Sequence, residues 1–142
     1  MKIRKAKKSD IEEIAKILRE ESSKKPYNER YSPKKSVQEV ERLLKEDLYV
    51  AVIDDIVIGF IASSVTRDDN KKVYIDELWL SLKYQKQGVG KALMTYVENR
   101  YKARGIKVIR LVTKKSSGAF KFYKKLKYKE TTGMVFVEKK LG

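Results

Sequence analysis

Residues 84–93 read Tyr-Gln-Lys-Gln-Gly-Val-Gly-Lys-Ala-Leu, and this stretch carries the most specific signal in the chain. The apolar run 73–82 before it is typical of a strand. The residues after it are apolar at helical spacing, namely Val89, Leu93, Tyr96 and Val97. A glycine turn between a strand and a helix lets backbone N–H groups converge, and the helix N-terminus adds a partial positive charge. The stretch therefore predicts a cradle for a pyrophosphate, and the plainer alternative is an ordinary turn that enters a helix.

Gln85, Gly88 and Gly90 give this stretch the spacing Q-x-x-G-x-G. The Rossmann fingerprint needs a third glycine where Leu93 stands, and the Walker loop needs its glycines farther apart, so neither motif fits. The spacing resembles the acetyl-coenzyme A loop of the GCN5-related N-acetyltransferase (GNAT) family, whose pattern is Q/R-x-x-G-x-G/A. The resemblance implies that the following residues bind acetyl-CoA: Gln85, Lys86, Gln87, Gly88, Val89, Gly90 and Lys91.

A second segment, residues 116–128, resembles the family pattern N-x-x-A-x-x-x-Y followed by K-x-G-F. Ala119 and Tyr123 match this pattern, whereas Ser116 stands in place of the Asn and Lys127 in place of the Gly. The resemblance implies that Ser116, Ala119 and Tyr123 contact the cofactor. It also implies that the Tyr123 phenol lies near the sulfur, where it can donate a proton to the departing thiolate. The alternative is that Tyr123 is one more core aromatic residue on an amphipathic helix.

Asp76 and Glu77 are adjacent acids inside the apolar run that precedes the glycine turn. Burying a charge is costly unless the charge is paired or used, so both acids are candidates for the base that deprotonates an amine. Successive strand residues face opposite sides, and therefore we expect at most one of them in a cleft. The alternative is that both pair with surface lysines. The resemblance further implies that the backbone of Leu78, Trp79 and Leu80 supports the pantetheine arm.

Composition excludes several kinds of site. The 142 residues suit one core, so residues 1–142 are predicted to form a single domain. Cysteine and histidine are both absent, which excludes disulfides, thiolate zinc sites, Ser-His-Asp catalysis and H-E-x-x-H motifs, and we expect no metal. No apolar run approaches the ~20 residues of a membrane span, and no signal peptide is evident, so we expect a cytoplasmic protein. Abundant Lys and Glu beside three Asn and three Gln favour a thermophilic source.

The positive charge is concentrated in one part of the chain. The formal net charge is +15, but residues 1–82 hold 17 Lys/Arg and 16 Asp/Glu, whereas residues 83–129 hold 15 Lys/Arg and one acid. A cofactor that carries a pyrophosphate and a further phosphate would be drawn to this basic segment. Most of its lysines are expected to be ordinary solvated surface. The nearly neutral first half carries most of the carboxylates, which makes it the expected place for an amine to bind.

The pattern along the chain predicts the order β-α-α-β-β-β-α-β-α-β(β). Ser9 to Glu12 reads as a capping box, Ser32-Pro33 as the start of the second helix, Asp54-Asp55 as a hairpin turn, 67–70 as a turn and Met134 to Glu138 as a last strand. With the resemblance, this order implies a mixed α+β fold of the GNAT type. We expect a central twisted sheet of six to seven mostly antiparallel strands, flanked by about four helices.

These signals together favour an enzyme that moves the acetyl group of acetyl-CoA to a primary amine by direct transfer, since no cysteine is available for a thioester intermediate. The acceptor is left open between a polyamine or other small amine and a protein N-terminus or lysine. Two alternatives remain: a basic α/β nucleic-acid-binding domain, and a CoA-binding fold of this type without catalysis. Because no RNP-like segment occurs, we expect no specific nucleic acid as partner. Because no apolar run is long enough to span a membrane, we expect no membrane partner either. A homodimer is left open.

Overall fold

The computed structural model of the chain describes residues 1–66 and 71–142, which divide into a first unit, Met1–Val112, and a second unit, Thr113–Gly142. The turn predicted at 67–70 lies outside the described residues. The described residues contain nine α-helices and β-strands in the order β-α-α-β-β-β-α-β-α, which confirms the predicted order up to the last helix.

One mixed sheet organises the first unit. Its strands are β1 Lys2–Lys5, β2 Asp47–Ile53, β3 Ile56–Val65, β4 Lys72–Leu80 and β5 Val108–Arg110, and they lie side by side in sequence order. The pairs β1–β2, β2–β3 and β3–β4 are antiparallel, and β5 runs parallel to β4. The described residues thus form five strands, so the prediction of six to seven is wrong.

The missing strand is the one predicted at Met134–Glu138. The described tail from residue 126 onward contains no strand, and Val135, Phe136 and Val137 are exposed. A short run of β-branched and aromatic residues favours a strand only where a neighbouring strand supplies hydrogen bonds and a surface to pack against. The residues of this segment indicate only a local preference for strand, and they do not specify a strand with which the segment would pair.

The β2–β3 hairpin forms at the predicted turn. Asp54 and Asp55 adopt φ values of 50° and 61°, and two successive positive φ values match the twist of the flanking strands. Aspartate tolerates this conformation better than most residues, because its short polar side chain can bond to nearby backbone. The pair is therefore both the turn signal in the sequence and the turn in the structure.

The part of the chain that the structure describes has four α-helices, which are α1 Ile11–Ser22, α2 Pro33–Leu44, α3 Val89–Ala103 and α4 Gly118–Lys125. Ser32 caps α2 as predicted, because its hydroxyl accepts the Lys35 N–H at 3.1 Å. The capping box predicted at Ser9–Glu12 is wrong. The chain makes a 3-10 turn first, and the carboxylate of Asp10 accepts the Lys7 N–H at 2.7 Å. No helix within 1–66 and 71–142 is long and apolar enough to cross a membrane.

The sheet has helices on both faces. α1 and α2 bury one face in a core that includes Ile14, Leu18, Val40, Leu43, Leu48, Val50 and Phe60. α3 covers the other face, where the rings of Tyr49 and Tyr96 meet edge to face at 5.1 Å. Because strand residues alternate, the face of each β4 side chain follows from its β3 partner. Glu77 pairs with Ala62 and Trp79 with Phe60, which places both side chains on the α1–α2 face.

The C-terminal end of α3 is tied to the sheet by a buried hydrogen-bond network. The Tyr101 hydroxyl donates to Asp47 at 2.6 Å and lies 2.6 Å from the Ser63 hydroxyl. Arg104 pairs with the same Asp47 carboxylate at 3.2 Å. Two strands therefore hold the last turn of α3, while its first turn follows the glycine stretch.

The second unit consists of α4 and the segments on either side of it. Ser117 precedes α4, and its hydroxyl donates to the Lys114 carbonyl at 2.7 Å. Tyr123 is buried, and its ring packs edge to face against Phe122 at 5.0 Å and Tyr128 at 5.8 Å. The aromatic cluster gives this short unit its apolar centre.

Candidate active site

The second half of β4 has a free edge within the first unit. β5 pairs with β4 only at Lys72, Val73 and Tyr74, and among the described residues of this unit no strand pairs with that edge beyond Tyr74. The other edge of β4 stays paired with β3 as far as Leu80. The pairing of β4 with β5 therefore ends just before the candidate acids Asp76 and Glu77.

Hydrogen-bond alternation shows which backbone groups face this free edge. The Ser81 N–H donates to the Ile58 carbonyl at 2.9 Å, so the backbone groups of Trp79, two residues earlier, also point toward β3. Those of Leu78 and Leu80 point the opposite way. Of the three residues predicted to support a pantetheine arm through their backbone, Leu78 and Leu80 are therefore oriented to do so and Trp79 is not.

The predicted glycine turn leads directly into α3. Gly88 has φ +86° and stands at the N-cap, where no side chain caps the helix. The first helical hydrogen bond runs from the Ala92 N–H to the Gly88 carbonyl at 3.0 Å, so the N–H groups of Val89, Gly90 and Lys91 have no acceptor within the helix. A Cβ built on Gly88 would meet nothing within 4 Å. The turn thus presents unused N–H groups beside open space, which fits a bound anion.

Gln85 begins the motif, but its side chain is engaged inside the protein. Its amide donates to Glu21 of α1 at 2.6 Å and to the Leu80 carbonyl at 2.9 Å. Glu21 is buried and also pairs with Lys24 at 2.8 Å. Both N–H groups of the amide are used, so the Gln85 side chain holds the turn in place. Lys86 and Gln87 are exposed beside it.

Glu77 is the better placed of the two candidate acids. Its carboxylate is half-buried and accepts the indole N–H of Trp79. Burial raises the pKa of Glu77 to about 7, the Trp79 hydrogen bond opposes that rise, and the charges of Glu29, Glu39 and Asp76 add to it. A carboxyl group with a pKa near neutrality can exchange protons at physiological pH, as a general base must.

Asp76 occupies a different position, which the sequence did not reveal. The β3–β4 register shifts so that Ser63 faces Ile75 and Ala62 faces Glu77, which leaves Asp76 as the extra residue of a bulge. Its side chain is exposed. Partial desolvation raises its pKa, while a hydrogen bond from Ser64 and the charge of Arg42 oppose the rise. Of the two acids, Glu77 is therefore the one whose side chain is partly shielded from solvent.

Two tyrosines from the α1–α2 connection accompany Glu77, and no motif in the sequence pointed to either of them. The Tyr27 ring contacts the Trp79 ring edge to face at 4.9 Å. Tyr31 packs against the α1–α2 core, and burial together with the charges of Glu29 and Glu77 raises its pKa to about 12. A carboxylate and aromatic rings together suit an ammonium group. No group of three or more acidic side chains within the described residues is placed to hold a metal.

The remaining predicted residues, Ser116, Ala119 and Tyr123, belong to the second unit. Ser116 is exposed just before α4, Ala119 is half-buried in its first turn, and Tyr123 is buried. Lys121 and Lys124 are exposed on α4. The first unit brings together the acids, the free edge of β4 and the glycine turn.

Comparisons with known proteins agree with this geometry. Residues 11–128 match the family model described as the acetyltransferase (GNAT) family. No curated protein matches the chain. A possible acetyltransferase from Clostridium difficile 630 is similar in structure, with 21% identity over 99% of this chain and 98% of that one and a TM-score of 0.84.

Two similar structures contain ligands. The aminoglycoside acetyltransferase meta-AAC0020 from an uncultured soil metagenomic sample, in complex with sisomicin, is 20% identical over 99% of this chain and 96% of its own, with a TM-score of 0.73. AAC(6')-Iy in complex with the bisubstrate analog CoA-S-monomethyl-acetylneamine is 20% identical over 98% and 97%, with a TM-score of 0.76. At this level of identity, both likenesses concern the fold.

Proposed function

The chain belongs to the acetyltransferase (GNAT) family, and we propose that it transfers the acetyl group of acetyl-CoA directly to a primary amine. Acetyl-CoA supplies the activated acyl group, and the chain supplies the groups that hold it and move protons. The family match, which spans residues 11–128, supports the proposal, as does a relative of the same fold that binds an analog in which CoA and an amine are joined.

One observation carries the proposal: Glu77 and the glycine turn lie at the two ends of one free edge of β4. Glu77, with a pKa of about 7, lies near the start of that edge. The outward backbone groups of Leu78 and the outward N–H of Leu80 follow, since the Leu80 carbonyl accepts the Gln85 amide, and the strand then leads into the glycine turn. The pyrophosphate would lie at the turn, the pantetheine along Leu78–Leu80, and the thioester toward Glu77.

Glu77 is the proposed general base. A primary amine is protonated near neutral pH and attacks the thioester carbonyl only after it loses a proton, which Glu77 accepts directly or through a water molecule. The carbon–sulfur bond then breaks, and the CoA thiolate leaves. Asp76 is the second candidate, and its exposed position on the bulge favours Glu77 over it.

Tyr123 is the proposed donor of the proton that the departing thiolate takes up. Its support is its position in the N-x-x-A-x-x-x-Y pattern together with its local setting in the second unit. Tyr123 is buried among aromatic rings, whereas Lys121 and Lys124 are exposed. A phenol hydroxyl is a hydrogen-bond donor and can pass its proton to a thiolate that leaves beside it. Ser116 and Ala119 are proposed to contact the cofactor beside it.

The proposed acceptor is a cationic small amine, such as a polyamine or an aminoglycoside, ahead of a protein N-terminus or lysine. The charges that act on Glu77 come from Glu29, Glu39 and Asp76, with Arg42 as a counter-charge. Acids on this face attract ammonium groups, and the Tyr27 and Trp79 rings add an apolar wall. The aminoglycoside acetyltransferases of the same fold are consistent with this class.

The test is release of the CoA thiol from acetyl-CoA with a panel of polyamines, aminoglycosides and peptides, with mass spectrometry of the acetylated product. Glu77→Gln and Asp76→Asn are compared with the parent on the best acceptor. We expect Glu77→Gln to lower kcat by about 10²- to 10⁴-fold, as the loss of a general base does, and Asp76→Asn to have a small effect. Binding of CoA without turnover of any acceptor would favour the non-catalytic alternative.

A further inference from the structure

Trp79 contacts the proposed base with the only polar atom of its side chain. We propose that Trp79 is a positioning residue for the acetyl transfer, because its indole N–H holds the Glu77 carboxylate in one orientation and leaves the other carboxylate oxygen to take a proton from the amine. The proposal rests on the proposed function, in which Glu77 is the base. The Trp79 ring packs against the core, and the proposal adds a second role for this side chain through its N–H.

Geometry makes the contact specific. Glu77 and Trp79 are two residues apart on β4, and the regular register from Ala62 to Phe60 places both side chains on the same face. The Trp79 indole Nε1 donates to Oε2 of Glu77. One oxygen of Glu77, Oε2, is thus engaged by the indole.

The indole is fixed from two further directions, so it is a rigid donor. Its ring packs against the α1–α2 core, and the Tyr27 ring meets it edge to face at 4.9 Å with an interplanar angle of 78°. An indole N–H is a donor only, and a donor favours the charged form of a carboxylate over the neutral form. A rigid donor therefore orients Glu77 and also keeps part of it ionised near neutral pH.

Several other groups also influence the pKa of Glu77, and any test must distinguish their effects from the effect of Trp79. Glu29 and Tyr31 come from the α1–α2 connection, Glu39 and Arg42 from α2, and Asp76 from β4. The acids raise the pKa of Glu77 and Arg42 counters them. Substituting Trp79 leaves all of these charges in place. A change in the pKa of Glu77 after that substitution is therefore caused by the loss of the indole N–H and its ring.

The first measurement needs no change at Trp79. The chain contains one tryptophan, so its indole ¹H–¹⁵N resonance is unique. In the parent this resonance should shift with pH, with a midpoint near the pKa of Glu77, about 7. In Glu77→Gln the same shift should vanish, whereas Asp76→Asn should retain it. An indole resonance in the parent that does not respond to pH between 5 and 9 would overturn the proposal.

The second measurement uses Trp79→Phe, which keeps an aromatic ring and removes the donor. The Glu77 carboxyl resonance, assigned by its loss in Glu77→Gln, should titrate at a pKa about one unit higher than in the parent. The acid limb of kcat/KM should move by the same amount, so that the variant is about tenfold slower at pH 6 and approaches the parent at pH 9. CoA affinity should stay nearly unchanged. Ile14→Val serves as the control for a mild loss of core stability, since Ile14 is fully buried in α1.

The outcomes separate this proposal from the proposed function. A loss of rate in Trp79→Phe that is equal at every pH, with an unmoved Glu77 titration, would make Trp79 a packing residue and leave Glu77 as the base. If Glu77→Gln keeps the parent rate and pH profile, Glu77 is not the base, and the positioning role of Trp79 is overturned with it. If Trp79→Phe does not fold, the indole titration of the parent and of Glu77→Gln decides the matter alone.

Discussion

The side-chain amide of Gln85 lies 2.6 Å from the carboxylate of Glu21, although 64 residues separate them in the chain. The contact joins α1 to the turn that precedes α3, and the same amide reaches the Leu80 carbonyl at the end of β4. The family resemblance assigns Gln85 to the cofactor, but its side chain here holds the turn against α1 and the end of β4. Its proposed contribution to binding is indirect, through the position of the backbone that follows.

Gln85→Ala should destabilise the fold by roughly 1–3 kcal/mol, because it leaves the buried Glu21 carboxylate with one partner fewer. It should also weaken CoA binding, since the turn loses its tie to α1 and β4. Gln38→Ala is the control, because the Gln38 side chain is exposed on α2 and Gln38 is not among the residues predicted to bind CoA. Urea unfolding and calorimetry with CoA measure the two effects. Equal results for both variants would contradict the role of Gln85 in holding the turn.

Gly88→Ala should abolish or strongly weaken CoA binding while the protein stays folded. Gly105→Ala is a close control, because both glycines have positive φ, +86° and +81°, and open space where a Cβ would stand. Each substitution should cost ~1–2 kcal/mol from backbone conformation alone. Only Gly88 lies at the N-terminus of α3, where the proposed pyrophosphate would meet the added methyl group. Similar CoA affinity in both folded variants, measured by calorimetry, would refute the assignment of the turn.

Tyr123→Phe should lower kcat by roughly 10- to 10³-fold, because it removes the proposed proton donor and keeps the ring. CoA affinity should remain close to that of the parent. Tyr128→Phe is the comparison, since Tyr128 packs against Tyr123 in the same aromatic cluster. Steady-state rates with the best acceptor distinguish the two variants. A Tyr123→Phe enzyme that turns over at the parent rate would leave water as the proton donor.

Glu77→Gln should stabilise the protein at high pH. The pKa of Glu77 is raised from 4.5 to about 7 in the folded chain, so the stability linked to its protonation is fully present below pH 4.5 and is lost as the pH rises through about 7. Gln carries no charge at any pH. The variant should therefore gain about 1–2 kcal/mol over the parent at pH 8, with allowance for solvent near the carboxylate, and almost nothing at pH 4. Thermal unfolding at both pH values tests this, and an equal difference at both would contradict it.

The salt dependence of binding should show whether the basic segment 83–129 serves the cofactor or a nucleic acid. We expect CoA binding to weaken modestly with ionic strength, whereas any DNA binding should be blind to sequence and lost by about 0.2 M salt. Calorimetry and filter binding across a salt series measure the two. Tight binding to one nucleic-acid sequence that survives at this salt concentration would favour the alternative class.

The sequence predicted the parts of the fold that depend on local chemistry. The Ser32-Pro33 helix start, the Asp54-Asp55 turn and the glycine entry into α3 all depend on the conformations that those residue types favour. The tail strand at 134–138 failed as a prediction because a strand depends on a neighbour that a local pattern does not specify.

The candidate site could be predicted only in part for the same reason. The spacing of the glycines and the adjacent acids Asp76 and Glu77 are local signals. The bulge that separates those two acids depends on the register with β3, and the Gln85–Glu21 contact joins segments that only the folded chain brings together. The Glu77–Trp79 contact had a usable signal in its two-residue spacing on a strand, which places the two side chains on one face.

The Tyr101–Asp47–Ser63 network at the end of α3 has a consequence for how the molecule opens. Because the last turn of α3 is fastened to β2 and β3, slow fluctuations of this helix should be largest at its glycine end. Amide hydrogen exchange should then be slow near Tyr101 and faster near Val89, with protection at Val89 rising when CoA is present. A helix that is held by several hydrogen bonds at its last turn, and through Gln85 before its first turn, can release a bound ligand by loosening the first turn without unfolding the sheet beneath it.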